Sequence, residues 1–361
     1  MKTTVLLKTL TLMVICLMCN INGSAHGFNS SFTNNSNKGS SSGDVNSDGE
    51  VNIADVNKLI DIILGGDAAD GEGSGDIYSS NKQYINNPSA TYIYDSSFTK
   101  MRCLGIANSF TLFPTFALPC IFTLADAQDS QYNFKSYGSP GGTLIGLANN
   151  IRNNSVMATM GYRNYGESIG PESSSGVRSV ISAPWDVIVF QQVSNDAADF
   201  NTYVPQVPAI VEAIHNYCSN KNVKVGWQMI WDKKHGTSET MRTAIVNNCK
   251  RVMDAFGIDL IVPTGTAFEN GWANGLTIKL DGSGHPWNAA AQYLAACTWY
   301  QTLFAPFLGK DIVDDIIPTE PQSWTGYNGT TMTLSVEECI LAAKCAKAAV
   351  EDMWNVTTGI K

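Results

Sequence analysis

The feature that most constrains this chain is an alternation that begins near Tyr92: short apolar runs take turns with longer helical patterns to the C-terminus. KMRCLGIA, YNFKSYG, WDVIVFQQ, VKVGWQMIW and IDLIVPTG read as strands. Helical spacing fits 206–219, 238–255, 288–304 and 335–354. A chain that alternates in this way buries a mostly parallel sheet between helices, so 92–361 is expected to be one α/β domain. Such sheets carry their sites at the carboxyl ends of the strands.

Four polar clusters fall at expected strand ends or helix starts. In 103-CLGIANSFT-111 the chain leaves a strand at Asn108 and Ser109, and a serine at that edge is a nucleophile if a base reaches it. In 136-SYGSPGGTLIGL-147, Gly141 and Gly142 stand between a strand and a helix, where free backbone N–H groups suit a developing oxyanion. A phosphate loop competes for that segment, but the lysine of the Walker pattern is absent. In 186-DVIVFQQVSNDAADF-200 the strand is followed by Gln191, Gln192, Ser194, Asn195 and Asp196. Amide side chains donate N–H bonds without titrating, so they too suit an oxyanion.

The fourth cluster is 281-DGSGHPWNAAAQYLAA-296. His285 lies on a loop at a helix start, with Asp281 upstream to fix its tautomer. The other three histidines are His26 in a polar tether, His215 on an amphipathic helix and His235 in a KKHGTSE loop. By elimination His285 is the preferred base, with His235 second.

These blocks, ANSF, GGTL, QQVSND and DGSGHPWNAAAQYLAA, resemble in content and order the SGNH (GDSL-like) hydrolases, in particular a branch whose first block reads GNSF. The resemblance runs from Met101 to Leu308. It implies a three-layer flavodoxin-like fold and a secreted serine esterase that removes acyl groups, acetyl above all, from carbohydrate or small esters. Ser109 would be the nucleophile, His285 the base and Asp281 its orienting partner. The backbone N–H groups of Ser109 and of Gly141 or Gly142, with the Asn195 side chain, would hold the oxyanion, Gln192 or Gln191 sharing that role. No cofactor is implied for the chemistry. Trp231, Trp287 and Tyr162 are candidate stacking surfaces for sugar.

Three departures from the family pattern matter. Ala107 replaces the glycine before Asn108, and Val193 replaces the glycine of the third block. The family separates Asp and His by two residues, whereas Gly282, Ser283 and Gly284 intervene here. These departures keep open a second function: an SGNH-like domain impaired in catalysis that binds carbohydrate or a cell-surface partner.

The first 91 residues read differently. Lys2 and Lys8 flank and interrupt an apolar run that reaches Cys19 and exits through Gly23, Ser24 and Ala25, the order of a secretory signal peptide over 1–25. The run is short for a bilayer span. A lipoprotein anchor at Cys16 or Cys19 would want small residues in place of Ile15 and Met18. A Ser/Asn/Gly tether at 26–42 and a second linker at 67–91 have little to bury. Between them, 43–66 places Asp44, Asn46, Asp48, Glu50, Asn52 and Asp55 at the ligand spacing of a calcium loop, with Gly49 at the sharp turn. Val56, Leu59, Ile60, Ile63 and Leu64 then follow at helical spacing. The unit resembles one repeat of a dockerin, which implies bound calcium and a cohesin-like or cell-surface partner. The net charge of −9, without a Lys/Arg block, argues against nucleic acid and anionic membranes as partners. After the signal peptide seven scattered cysteines remain, an odd number that reads as buried apolar residues rather than a disulfide framework.

Overall fold

The computed structural model describes Val45 and residues 99–157, 163–167, 174–233 and 239–361. The chain divides into two units, Met1–Glu72 and Gly73–Lys361. The expected signal peptide, both expected linkers and the expected calcium-loop positions Asp44, Asn46, Asp48, Glu50, Asn52 and Asp55 lie outside the described residues.

The second unit is an α/β fold around a six-stranded sheet. Five strands are parallel: β1 (Met101–Ala107), β2 (Tyr132–Gly138), β4 (Val187–Phe190), β5 (Lys224–Gln228) and β6 (Leu260–Val262). β3 (Arg163–Gly166) runs antiparallel on the outer edge of β2, giving the order β3-β2-β1-β4-β5-β6. The strand order reverses between β1 and β4, and a doubly wound sheet opens a ligand crevice at such a switch point. Every residue of β2 and β4 is buried. In β4 this accounts for the unbroken apolar run VIVF, since a sheet covered on both faces has no side that favours polar residues, whereas β2 buries Asn133, Lys135 and Ser136 as well.

The helices pack in two groups. α2 (Pro114–Leu124), α7 (Thr264–Ala273), α8 (Ala289–Trp299) and α10 (Val336–Glu351) pack among themselves, as do α3 (Leu144–Asn153), the short α4 (Val177–Ile181), α5 (Gln206–Tyr217) and α6 (Glu239–Phe256). The Trp299 ring of α8 packs onto the backbone of β1 at Gly105, where an added Cβ would just touch it at 3.4 Å. At the amino ends of the strands two buried carboxylates tie neighbours together. Asp186 Oδ2 accepts from the Arg102 backbone N–H at 2.8 Å, and Asp259 Oδ2 accepts from that of Val225 at 2.7 Å. Burial pushes both carboxyls above their ordinary range, against the pull of these bonds.

The periodicity finds the five parallel strands and the helices α5, α6 and α10, and it misses or misreads several other elements. The segment after β1 folds into a short helix α1 (Ser109–Leu112) and α2, which opens on Pro114 and is buried on most sides, so it has no amphipathic stripe to read. The expected helix over 288–304 is interrupted: α8 stops at Trp299, and a π turn, Tyr300–Phe304, leads into the short α9 (Ala305–Leu308). Pro306, which lacks an N–H, sits at that junction and deprives the preceding turn of a regular partner. α7 and the antiparallel hairpin of β7 (Gln322–Thr325) with β8 (Thr331–Leu334) complete the fold. All seven cysteines of this unit are free, and all but Cys120 are buried. Among the described residues no helix is long and apolar enough to cross a membrane.

Candidate active site

Asn108, the residue that follows β1, organises the switch point. Its side-chain oxygen caps α1 by accepting from the Phe110 N–H at 3.0 Å and also accepts from Gln191 Nε2 at 2.6 Å. Its Nδ2 donates to the Gly142 carbonyl at 2.8 Å. One buried amide thus holds three strand ends in register: its own, the loop after β2 and the loop after β4. Ser109 is then the first residue of α1, where an N–H has no intrahelical acceptor. Ala107, at the glycine position of the family pattern, ends β1 opposite Gly138. A Cβ on Gly138 would lie only 2.5 Å from the Ala107 carbonyl oxygen, so the glycine that this turn requires stands on the neighbouring strand.

Ser109 Oγ lies 2.8 Å from His285 Nε2, and His285 Nδ1 lies 2.9 Å from Asp281 Oδ2. The three intervening residues do not part the pair, because the loop closes on itself. Asp281 Oδ1 accepts from the backbone N–H groups of Ser283 at 2.8 Å and His285 at 2.9 Å, and the Asp281 carbonyl accepts from Gly284 at 2.9 Å. Gly284 supplies the left-handed residue that this closure needs, at φ +88. The extra residue is absorbed as a capped turn.

Partial burial raises the affinity of the Asp281 carboxyl for its proton, but the bonds from His285 and Ser283 outweigh it and hold the group below its ordinary range. An ionised Asp281 accepts from Nδ1–H, which leaves the Nε2 lone pair to face the Ser109 hydroxyl. The imidazole is also clamped by rings. It stacks on Phe113 with centroids 4.9 Å apart and lies 5.5 Å from Phe110.

A cavity of about 340 Å³ opens over Ser109 and His285. Gly141 lines it at φ +62, whereas the Gly142 N–H is engaged by the Ser139 carbonyl at 3.0 Å, so of the two expected donors only Gly141 remains available. Asn195 also lines the cavity and is exposed; its Oδ1 accepts from the Lys233 ammonium, which turns Nδ2 into the free end of the amide. Gln192 stands elsewhere. Its Nε2 donates to Thr202 Oγ1 at 2.8 Å and its Oε1 accepts from the Val193 N–H at 2.9 Å, so it serves the scaffold of the third loop. Gln191 is likewise turned inward, onto Asn108. Val193, where the family pattern has glycine, presents an apolar wall to the cavity.

Of the aromatic candidates, Trp231 is buried, its indole N–H donating to the Gly284 carbonyl at 2.8 Å, so it supports the His285 loop from below. Trp287 is exposed but does not line the cavity, and Tyr162 and His235 lie outside the described residues. Several lining residues escaped the sequence reading, Phe113, Lys233 and Tyr327 among them. Lys233 stands two residues past the run WQMIW, and Tyr327 sits on the turn of the β7–β8 hairpin, 5.5 Å from Phe113. The signal for the hairpin was present in QSWTGYNGTTMTL, where two short alternating runs flank a Gly-Tyr-Asn-Gly turn. Among the described residues no group of three or more His, Cys, Asp or Glu side chains is arranged to hold a metal ion.

The structure is similar to the crystal structure, at 1.50 Å resolution, of a DUF4886 family protein from Bacteroides uniformis ATCC 8492, with a TM-score of 0.59 and 22% sequence identity. The match covers 72% of this chain and 98% of that one, and at such identity it speaks for the fold alone. No curated protein matches the chain. A family model described as "Domain of unknown function (DUF4886)" matches residues 103–316, more than half of the chain, and the protein belongs to that family.

Proposed function

We propose that the α/β unit is a serine esterase of SGNH type, with a flavodoxin-like three-layer fold, that removes acyl groups from carbohydrate or other small esters. The observation that carries this reading is the unbroken chain from Ser109 Oγ through the His285 ring to Asp281, at 2.8 and 2.9 Å, beneath an open cavity. Ser109 Oγ attacks the acyl carbonyl carbon while its proton passes to His285 Nε2. The N–H groups of Ser109 and Gly141 and the Asn195 amide hold the negative oxygen of the tetrahedral intermediate. Its collapse expels the alcohol, which takes the proton from His285. Water then repeats the sequence on the acyl-enzyme and releases the carboxylic acid. Asp281 stays ionised throughout and stabilises the imidazolium.

The test is hydrolysis of p-nitrophenyl acetate by the wild type and by Ser109→Ala, together with labelling by a fluorophosphonate. Burst release of nitrophenol and a single label on Ser109 are expected. Folded wild-type protein that neither turns over the ester nor takes the label would overturn the reading.

The remaining expectations belong to the same proposal. The protein is exported by its N-terminal signal, and Asp44, Asn46, Asp48, Glu50, Asn52 and Asp55 bind calcium in a dockerin-like loop that engages a cohesin-like or cell-surface partner. Calcium titration of the full chain checks the loop: Asp44→Ala and Asp48→Ala should each weaken binding, and unchanged affinity in both would refute the site.

A further inference from the structure

The chain as a whole is negative, with a net charge of −9, but the cavity over Ser109 is not. Among the described residues its lining contains no Asp or Glu, and the one permanently charged side chain there is Lys233. The root of that side chain is fixed by the catalytic loop: a Cβ built on Gly284 would lie 2.5 Å from Lys233 Cβ, so the two backbones are in close contact. Its ammonium reaches across the mouth to Asn195 on the loop after β4. The partner is therefore a neutral amide, and among the described residues Lys233 makes no ion pair. A carboxylate is a stronger acceptor for an ammonium than an amide oxygen is. Such a ligand would take over the bond that Asn195 now holds.

We propose that Lys233 makes this cavity selective for esters that carry a carboxylate near the acylated hydroxyl. Acylated sugar acids are the class that combines both groups in a ligand of the cavity's size, and the rings of Phe113 and Tyr327 offer apolar surface to the rest of the sugar. The acyl half of this statement rests on the esterase reading, and the anionic half does not.

The two halves are tested separately. Calorimetry on Ser109→Ala, which cannot turn over its ligand, compares O-acetylated glucuronic acid with O-acetylated glucuronamide, its neutral counterpart. The acid should bind at least about fivefold more tightly, and the gap should narrow as salt rises from about 0.05 to about 0.5 M. In the Ser109→Ala background, Lys233→Gln should bring the two ligands to equal affinity, and Lys233→Arg should keep most of the preference. Equal binding of acid and amide to Ser109→Ala, or a preference that is insensitive to both salt and Lys233→Gln, would overturn the inference. The salt dependence reads the same charge without relying on the folding of a Lys233 variant. Turnover of both esters by the wild type at equal kcat/KM would overturn the anionic selectivity and leave the esterase standing. Acid-selective binding without turnover of either ester would do the opposite.

Discussion

The loop 281–285 and the turn 191–195 both depart from the spacing or composition that the family resemblance implies, and the two departures end differently. The first loop carries an extra residue, yet Asp281 and His285 meet at 2.9 Å because the surplus backbone folds onto the same carboxylate. The second keeps its length but has Val193 in place of glycine, and its amides are divided: Gln191 and Gln192 turn inward while Asn195 stays at the cavity. A carboxylate has several lone pairs, so it can orient an imidazole and cap its own loop at once. An amide has a limited set of donors, and one that bonds the scaffold is no longer free for a ligand. The extra residue of the first loop is thus absorbed by a single carboxylate, whereas the second loop divides scaffold and cavity between different amides.

The sharpest way to break this comparison lies in the first loop. His285→Ala should lower kcat/KM for p-nitrophenyl acetate by at least about 10⁴-fold, since base and nucleophile act as a unit. Asp281→Asn should cost about 10³-fold, because an amide at that position favours the wrong tautomer. If Asp281→Asn retained wild-type activity, the closed loop would be a structural feature only. In the second loop, Asn195→Ala should reduce kcat by roughly 10–100-fold, less than a buried oxyanion donor would, because this residue is exposed.

Gln192→Ala should act on stability instead. Leaving the Val193 N–H and the Thr202 hydroxyl without their buried partner should cost about 1–3 kcal/mol in denaturant unfolding. A Gln192→Ala protein of unchanged stability but collapsed activity would reverse the division of labour. The smallest effect concerns pH. A carboxyl held below its ordinary value stabilises the fold above its unfolded pKa, near 4, and this contribution fades as pH falls through the lowered folded value. The melting temperature of the wild type should therefore exceed that of Asp281→Asn at pH 7 by a few degrees and approach it at about pH 3. A constant difference at both pH values would show that the stabilisation does not come from the charge.

Much of the fold can be read in the chain because its strands are buried on both faces and its main helices are amphipathic. Apolar runs such as DVIVF and patterns such as 206–219 carry those facts directly. β3 could not be read in this way. It is an edge strand of four half-buried residues, RNYG, with no contrast between its faces. Ser109 was legible because it follows a strand, where the chain direction decides which edge a side chain reaches, and Asp281 and His285 because they share one short polar loop that leads into an apolar helix. Lys233 and Tyr327 were not, because their place at the cavity depends on how WQMIW extends past the sheet and how the hairpin folds back, which no periodicity encodes. The role of Asn108 was hidden for another reason: one amide serving three loops is a property of tertiary contacts.

The β7–β8 hairpin begins at Gln322, past the span 103–316 on which family membership rests. Ser109, Asp281 and His285 all lie within that span, and Tyr327 reaches their cavity from beyond it. The machinery that would cleave and one surface that would select are thus written on separate lengths of chain. A change in the hairpin would therefore reshape what enters the cavity without replacing Ser109, Asp281 or His285, and would be felt by His285 through Phe113.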